Sequence, residues 1–231
     1  MKKSLFLACM CIGSLYADAT PATLSITGAA TLKKPADQLT LSIAVVTDGD
    51  SAESALQQNN SKMQSLIAAL QTQELTSKEY STGQFSISPI YTPYPKNPPA
   101  DWVQKIKGYR VTNGLIIQTD KIDHAGEIID AATQGGANSV DNISFGLKDP
   151  RQYKQEAIRK ATQNALQDAK DLADSAQLKL ESINKIWLDN AESVAPRMKG
   201  FATTMAAVPP LEPGDVSVNA NVTIVFEISS R

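Results

Sequence analysis

The chain has 231 residues, with 22 Lys and Arg against 24 Asp and Glu, and a formal net charge of −2. Because the charges are interspersed and nearly balanced, they provide no net electrostatic attraction to nucleic acid or to anionic lipid. The length suits a single domain with a substantial core.

The first 19 residues are typical of a secretory signal peptide. Lys2 and Lys3 form the charged start, Leu5 to Leu15 an apolar run, and Ala17 to Ala19 a cleavage motif. The apolar run is shorter than the roughly 20 residues that cross a bilayer, and no later segment approaches that length. We therefore expect residues 1–19 to be removed, leaving residues 20–231 as one exported domain without a transmembrane segment.

Both cysteines, Cys9 and Cys11, lie in this segment. Cys9 comes too early to leave a full apolar run before it, and Met10 is a poor residue in front of a lipidated Cys11. The favoured interpretation is that both fill the apolar run, with lipid attachment as the alternative. Without them the exported chain can form neither disulfides nor thiolate sites.

The chain continues with two strands and a helix. Apolar residues alternate from Leu24 to Leu32 and again from Leu39 to Val45, which predicts an opening hairpin. From Asp50, with Glu53 completing a capping box, the apolar period becomes helical as far as Leu70.

Two further strands flank a proline-rich loop. A third strand is predicted from Phe85 to Tyr91 and a fourth from Tyr109 to Ile117. Between them, the segment from Thr92 to Asp101 carries four prolines and should be an exposed loop. Asn113 shares the alternation of the fourth strand, so we expect it to point inward and to need hydrogen-bond partners.

Two helices surround the fifth strand. A short amphipathic helix begins at Ile122 and should end in a left-handed turn at Gly135 or Gly136, before a strand from Ile143 to Leu147. Asp149 then caps a long helix. Its alanines recur every fourth residue, which favours close packing on a sheet or helix; they are Ala157, Ala161, Ala165, Ala169 and Ala173.

The final part of the chain contains two strands separated by a long loop. A strand is predicted around Ile183 to Leu188, and the clearest alternation runs from Val216 to Ile228. The loop from Ala191 to Asp215 is long enough to be functional or mobile. The predicted fold is therefore α+β, in the order β-β-α-β-β-α-β-α-β-β, with about seven strands in a mixed or antiparallel twisted sheet and helices on one face.

Few residue types are available for catalysis. His124 is the only histidine and is interpreted as a surface residue, so neither a zinc site of nitrogen and sulfur ligands nor a catalytic triad can be assembled. We predict no catalytic residue, no metal and no cofactor. A two-carboxylate glycosidase stays open as an alternative, because the sequence does not show which carboxylates meet in space.

Several short motifs occur in a fixed order. Residues 86–91 read Ser-Ile-Ser-Pro-Ile-Tyr, residues 108–113 read Gly-Tyr-Arg-Val-Thr-Asn, residues 136–138 read Gly-Ala-Asn and residues 143–145 read Ile-Ser-Phe. Their order and spacing, together with Gly28 and the alanine-striped helix, resemble the SIMPL-domain family, also called DUF541. The resemblance covers nearly all of residues 20–231.

The resemblance implies an exported bacterial protein that is either periplasmic or secreted, with peripheral association with the outer membrane as a further alternative. Some relatives assemble into rings or barrels, some are linked to envelope or oxidative stress, and no catalytic residues are established. The family-motif positions are interpreted as structural; they are Gly108, Tyr109, Asn113, Gly136, Ala137 and Asn138.

We therefore expect a non-enzymatic protein of the envelope that forms a homo-oligomer or binds an envelope protein partner, and no nucleic acid. Whichever of the first and last strands lies at a sheet edge would expose unpaired backbone groups. The loop from Ala191 to Asp215 suits a contact surface, because it carries Met198, Phe201 and Met205. The alternative for this loop is that it folds back over its own sheet. The alternative is a hydrolase or ligand-binding protein that acts on cell-wall glycans through a carboxylate-lined cleft.

The signal-peptide interpretation makes a direct prediction. Protein purified from its native host should begin at about Asp18 or Thr20 and lack both cysteines, because a signal peptidase cuts after small residues. N-terminal sequencing and intact mass measure this. An intact Met1 terminus on cytoplasmic material would contradict export.

Overall fold

The computed structural model describes residues 21–195 and 213–231. The strands are β1 (Thr23–Pro35), β2 (Gln38–Gly49), β3 (Tyr80–Tyr91), β4 (Ile106–Thr119), β5 (Ser139–Gly146), β6 (Leu178–Val194) and β7 (Asp215–Ser230). The helices are α1 (Ala52–Thr72), α2 (Ala125–Gln134) and α3 (Pro150–Ser175), and a single 3-10 turn at Ile122–His124 precedes α2. The α+β class and the predicted order of elements are confirmed.

The seven strands divide between two antiparallel sheets. One has the order β1-β7-β6 and the other the order β3-β4-β2-β5. Helix α3 packs on the three-stranded sheet, and α1 packs on β2 and β4 of the four-stranded sheet. Buried residues of both sheets and all three helices belong to one hydrophobic cluster, so the two layers share a single core.

The predicted hairpin of β1 and β2 is wrong. β1 pairs along its whole length with β7, from Thr23 opposite Glu227 to Pro35 opposite Asp215, whereas β2 pairs with β4 and β5. The short link between β1 and β2 is hydrogen-bonded to the end of β5. Asp37 N donates to Gly146 O at 3.0 Å, and Lys148 N donates to the Asp37 carboxylate at 2.6 Å. These bonds direct the chain into the second sheet instead of back along β1.

The helix boundaries follow local capping. Ser51, not Asp50, caps α1, because its hydroxyl accepts from Ser54 N at 3.1 Å. Helix α2 ends before Gly136, which has a φ of +114°, as expected for a residue that terminates a helix. Asp149 accepts from Arg151 N at 3.1 Å at the start of α3, as predicted.

The alanine stripe of α3 packs directly against β1. All five alanines are buried, and Gly28 of β1 lies beneath the middle of the stripe. A Cβ atom added at Gly28 would come within 2.2 Å of Ala161 O and 2.4 Å of Ala165 N, a separation that real Cβ atoms do not show. Small side chains on both surfaces therefore allow the helix backbone to rest on the strand backbone.

This contact places α3 over β1 and β7. Asn164 extends past the edge of β1 and donates to Ala29 O at 2.8 Å, so the helix also satisfies part of that edge. Helix α3 packs less extensively on β6 than on β1 or β7. Strand β6 is consequently the less protected edge of the three-stranded sheet.

Parts of the sequence predictions lie outside the described residues. The predicted signal peptide, with Cys9 and Cys11, is one such part, and most of the loop from Ala191 to Asp215 is another. Strand β6 extends to Val194 and so takes in the first residues assigned to that loop. Within residues 21–195 and 213–231, no helix is both long and apolar enough to span a membrane.

The packing at Gly28 predicts a large effect of a small substitution. Gly28→Val should destabilise the fold by about 1 to 3 kcal/mol or more, because the added methyl groups overlap the α3 backbone. Denaturant unfolding gives the free energy. Gly126→Ala is the matched control, since no atom of the described residues lies within 4 Å of a Cβ at Gly126, and it should be neutral or stabilising by up to about 1 kcal/mol. Equal stability of the two variants would contradict the close packing.

Candidate functional site at the end of strand β2

The family-motif positions lie on both sides of the second half of β2. Gly108, Tyr109 and Asn113 belong to β4, which pairs with β2 along one edge. Residues 136–138 connect α2 to β5, which pairs with the other edge. The fold therefore brings two groups of motif residues together around residues 44–49, although they are more than twenty positions apart in the sequence.

Asn138 extends the sheet with its side chain. Its Oδ1 accepts from Val46 N at 2.8 Å and its Nδ2 donates to Val46 O at 2.8 Å, while its own N donates to Ala44 O at 3.0 Å. Asn138 thus supplies one further rung of the β5 ladder. Ala137 beside it is buried and donates to Ala132 O at 3.0 Å, which fixes the approach from α2.

Two glycines allow β2, β4 and α1 to meet. A Cβ atom at Gly108 would lie 2.7 Å from Gly49 O, and one at Gly49 would lie 2.7 Å from Ala55 N of α1. Tyr109, directly after Gly108, is half-buried and pairs in register with Gly49. Side chains at either glycine would push these elements apart.

The buried amide of this region is Asn59, which the sequence analysis missed. Asn59 is fully buried on α1, and its Nδ2 donates to Val45 O at 2.8 Å and to Val111 O at 3.4 Å. Its Oδ1 has no hydrogen-bond partner among the described residues. The available signal was position, since Asn59 lies four residues after Ala55 and four before Met63, on the buried face of α1.

Asn113 is less buried than the alternation of β4 predicted, and its side chain lacks the expected hydrogen-bond partners among the described residues. It lies in register with Val45 on one side and Phe85 on the other, but it is half-buried, and its side chain makes no hydrogen bond to the part of the chain described. The reason is that β3 is an edge strand that α1 does not cover. Water can therefore reach the end of the Asn113 side chain.

A shallow cleft of about 280 Å³ opens at this end of the sheet. Its lining combines two carboxylates, one ammonium group and apolar or backbone atoms, from Asp48, Gly49, Asp50, Ile90, Lys107 and Gly108. Arg110 donates to both carboxylate oxygens of Asp48 at 2.7 Å, and both side chains are about half exposed. These hydrogen bonds hold the pKa of Asp48 below its ordinary value.

The electrostatics of the described residues favour charged carboxylates. The pKa is lowered at Asp48, Glu79, Asp120, Glu156 and Glu181, in each case chiefly by a side-chain hydrogen bond. His124 is exposed and forms a 2.7 Å hydrogen bond with Glu127. Among residues 21–195 and 213–231, no three His, Cys, Asp or Glu side chains lie close enough together to hold a metal ion.

The hydrogen bonds of Asn138 predict a measurable loss of stability when its side chain is removed. Asn138→Ala should lower the free energy of unfolding by roughly 1 to 3 kcal/mol, because it removes two side-chain hydrogen bonds that continue the ladder. Denaturant unfolding measures this. Asn142→Ala, on the exposed surface of β5, is the control and should change stability by less than about 0.5 kcal/mol. An unchanged stability in Asn138→Ala would mean that water replaces the side chain at no cost.

Known proteins are similar to this chain over most of its length. The chain is 29% identical over 214 residues to a 26 kDa periplasmic immunogenic protein of Brucella melitensis, covering 90% of this chain and 85% of the relative. It is 24% identical over 205 residues to the uncharacterized protein YggE of Escherichia coli K12, covering 87% of this chain and 81% of the relative. The model of SIMPL, a protein family of unknown function (DUF541), matches residues 24–226, and the chain belongs to this family.

Proposed function

We propose that the chain is an exported envelope protein that acts without enzyme chemistry, by self-assembly and by binding other envelope proteins. A relative that is 29% identical over most of both chains is named as periplasmic, which supports the proposed location. The observation that carries the assembly proposal is that, among residues 21–195 and 213–231, each sheet ends in an edge strand with exposed apolar side chains.

Strand β6 is an edge strand of 17 residues. Ile186 lies opposite Ile224, and Leu188 opposite Val222, in the β6–β7 register. The two β7 residues are buried on the face that α3 covers, so Ile186 and Leu188 point to the same face. They are nevertheless 54% and 48% exposed, because α3 packs less extensively on β6 than on β1 or β7.

Strand β3 repeats this pattern in the four-stranded sheet. It is an edge strand, and Ile87 lies opposite Val111, which is fully buried under α1. Ile87 itself is 41% exposed, and Phe85 and Tyr91 on the same strand are about half exposed. Each sheet therefore has an outer strand whose apolar side chains are left uncovered by its own helix.

Pairing with another chain would satisfy both features of these strands. An edge strand carries unpaired N–H and C=O groups that attract a further strand. The adjacent apolar side chains would be removed from water by the same contact, which adds a hydrophobic contribution. The edge of β1 lacks this combination, because Asn164 and α3 cover it.

The carboxylate-lined cleft gives less support to a glycan hydrolase. A general acid in such an enzyme needs a raised pKa, so that it is protonated at neutral pH. Asp48 has a lowered pKa and is held by Arg110, so it is charged and already paired. Outer-membrane association and a link to envelope or oxidative stress are parts of the proposal that rest on the family resemblance alone.

The assembly proposal predicts the mass in solution. Light scattering of the exported protein at micromolar concentration should give a mass well above that of one chain. Replacing both Ile186 and Leu188 with Lys should weaken association by about tenfold or more, because charges would enter the buried contact.

A matched variant separates this effect from a general change of surface. Leu172→Lys also replaces a half-exposed apolar residue with a charge, but this residue belongs to α3 and to neither outer strand. It should leave the mass unchanged, and circular dichroism should show that all variants are folded. A monodisperse monomer across the concentration range would contradict self-assembly.

A further inference from the structure

The loop between β3 and β4 is a closed structure with a defined base. Thr92 N donates to Lys105 O at 2.8 Å, and Lys105 N donates to Thr92 Oγ1 at 3.2 Å, so the two ends of the loop are tied together. Within it, Trp102 N donates to Pro99 O at 3.0 Å and forms a turn. The loop residues 92–105 therefore project from the end of the sheet in an ordered conformation.

Aromatic and apolar side chains dominate the surface of this loop. Tyr94 and Trp102 pack edge to face with their ring centroids 4.7 Å apart. Tyr94 and Val103 are each 70% exposed, the highest values among the large apolar side chains of the described residues. Tyr91 and Ile106, directly outside the loop, are half exposed. These side chains contribute nothing to the core and are available to a partner.

The prolines lower the free-energy cost of moving the loop from water into an apolar environment. Four of its residues are proline, at positions 93, 95, 98 and 99, and these have no backbone N–H group. Transfer of the loop into an apolar environment therefore leaves fewer unpaired donors than transfer of an ordinary loop. The fixed proline dihedrals also reduce the entropy that ordering on a partner would remove.

The charge of the loop differs in sign from that of the whole chain. Lys96 and Lys105 outnumber the single acid, Asp101, whereas the chain has a net charge of −2. Neither lysine forms an ion pair within the described part of the chain, while Lys105 and Asp101 line a cleft of about 360 Å³ beside Trp102. Tyrosine and tryptophan with lysine are the residues enriched where proteins meet the bilayer interface.

We propose that this loop docks on the surface of an anionic phospholipid bilayer, with Tyr94, Trp102 and Val103 at the headgroup boundary and the two lysines on the phosphates. The inference deepens the proposed envelope function and rests on its location. The apolar tip, the missing N–H groups and the local positive charge together fit the surface of an anionic bilayer.

The two tryptophans of the chain provide an internal test. Trp187→Phe leaves Trp102 as the only tryptophan, and Trp102→Phe leaves Trp187, which lies on β6. Exported protein is mixed with vesicles of phosphatidylglycerol and phosphatidylcholine, and with vesicles of phosphatidylcholine alone. The emission of Trp102 should shift to shorter wavelength with the anionic vesicles, and the emission of Trp187 should not change.

Co-sedimentation with the same vesicles tests whether the charges of the loop lysines contribute to binding. Lys96→Gln and Lys105→Gln should each weaken binding about fivefold, the effect of one lysine near an anionic surface. Val103→Ser should weaken it further without changing the charge. The control is Lys62→Gln with Lys170→Gln, which removes two exposed lysines elsewhere and should leave binding unchanged. Soluble glycerophosphoglycerol should not compete, because the apolar contact needs a bilayer.

Any of the following results would overturn the proposal that the loop binds a bilayer. A shift of Trp187 and not of Trp102, or equal loss of binding in the control pair, would place the contact elsewhere. A change in Trp102 emission with protein concentration in the absence of lipid would mean that a second copy covers the loop. Failure of vesicle binding leaves the mass measurement untouched, so it is distinguishable from failure of self-assembly.

Discussion

The contact of α3 with β1 determines how the three-stranded sheet is covered. Gly28 has no side chain and the alanines of α3 have only a methyl group, so the helix backbone lies close to the strand backbone. Because the small residues lie on β1, α3 packs more closely on β1 and β7 than on β6. The exposed apolar side chains of β6 are consistent with this packing at the opposite edge.

The four-stranded sheet also has an outer strand that its helix leaves exposed, but for a different physical reason. Helix α1 is attached to the ladder between β2 and β4 by Asn59, whose amide donates to a carbonyl of each strand. This polar contact fixes the helix over the two central strands and leaves β3 outside. A buried acceptor without a partner costs stability, so its presence favours a role in fixing the position of the helix. Both sheets thus present an apolar outer strand.

Local features of the sequence predicted most elements, and long-range pairing decided what could not be predicted. The cap at Asp149, the helix end before Gly136 and the alanine stripe depend on residues within a few positions of one another. The pairing of β1 with β7 depends on residues about 200 positions apart, and the sequence alone favoured the nearer strand β2. Asn59 was missed because it is polar and lies in a run of polar residues, so its place on the buried face, between Ala55 and Met63, did not stand out.

The pairing of the first strand with the last constrains the order of folding. Thr23 lies opposite Glu227, so β1 has no partner until nearly the whole chain is available. Contacts of such large sequence separation raise the entropic cost of loop closure and slow folding. For an exported chain, as proposed, slow folding has a use. The N-terminal strand stays unpaired while the chain is still being made, so the three-stranded sheet cannot be completed before most of the polypeptide has left the ribosome and can be threaded across a membrane.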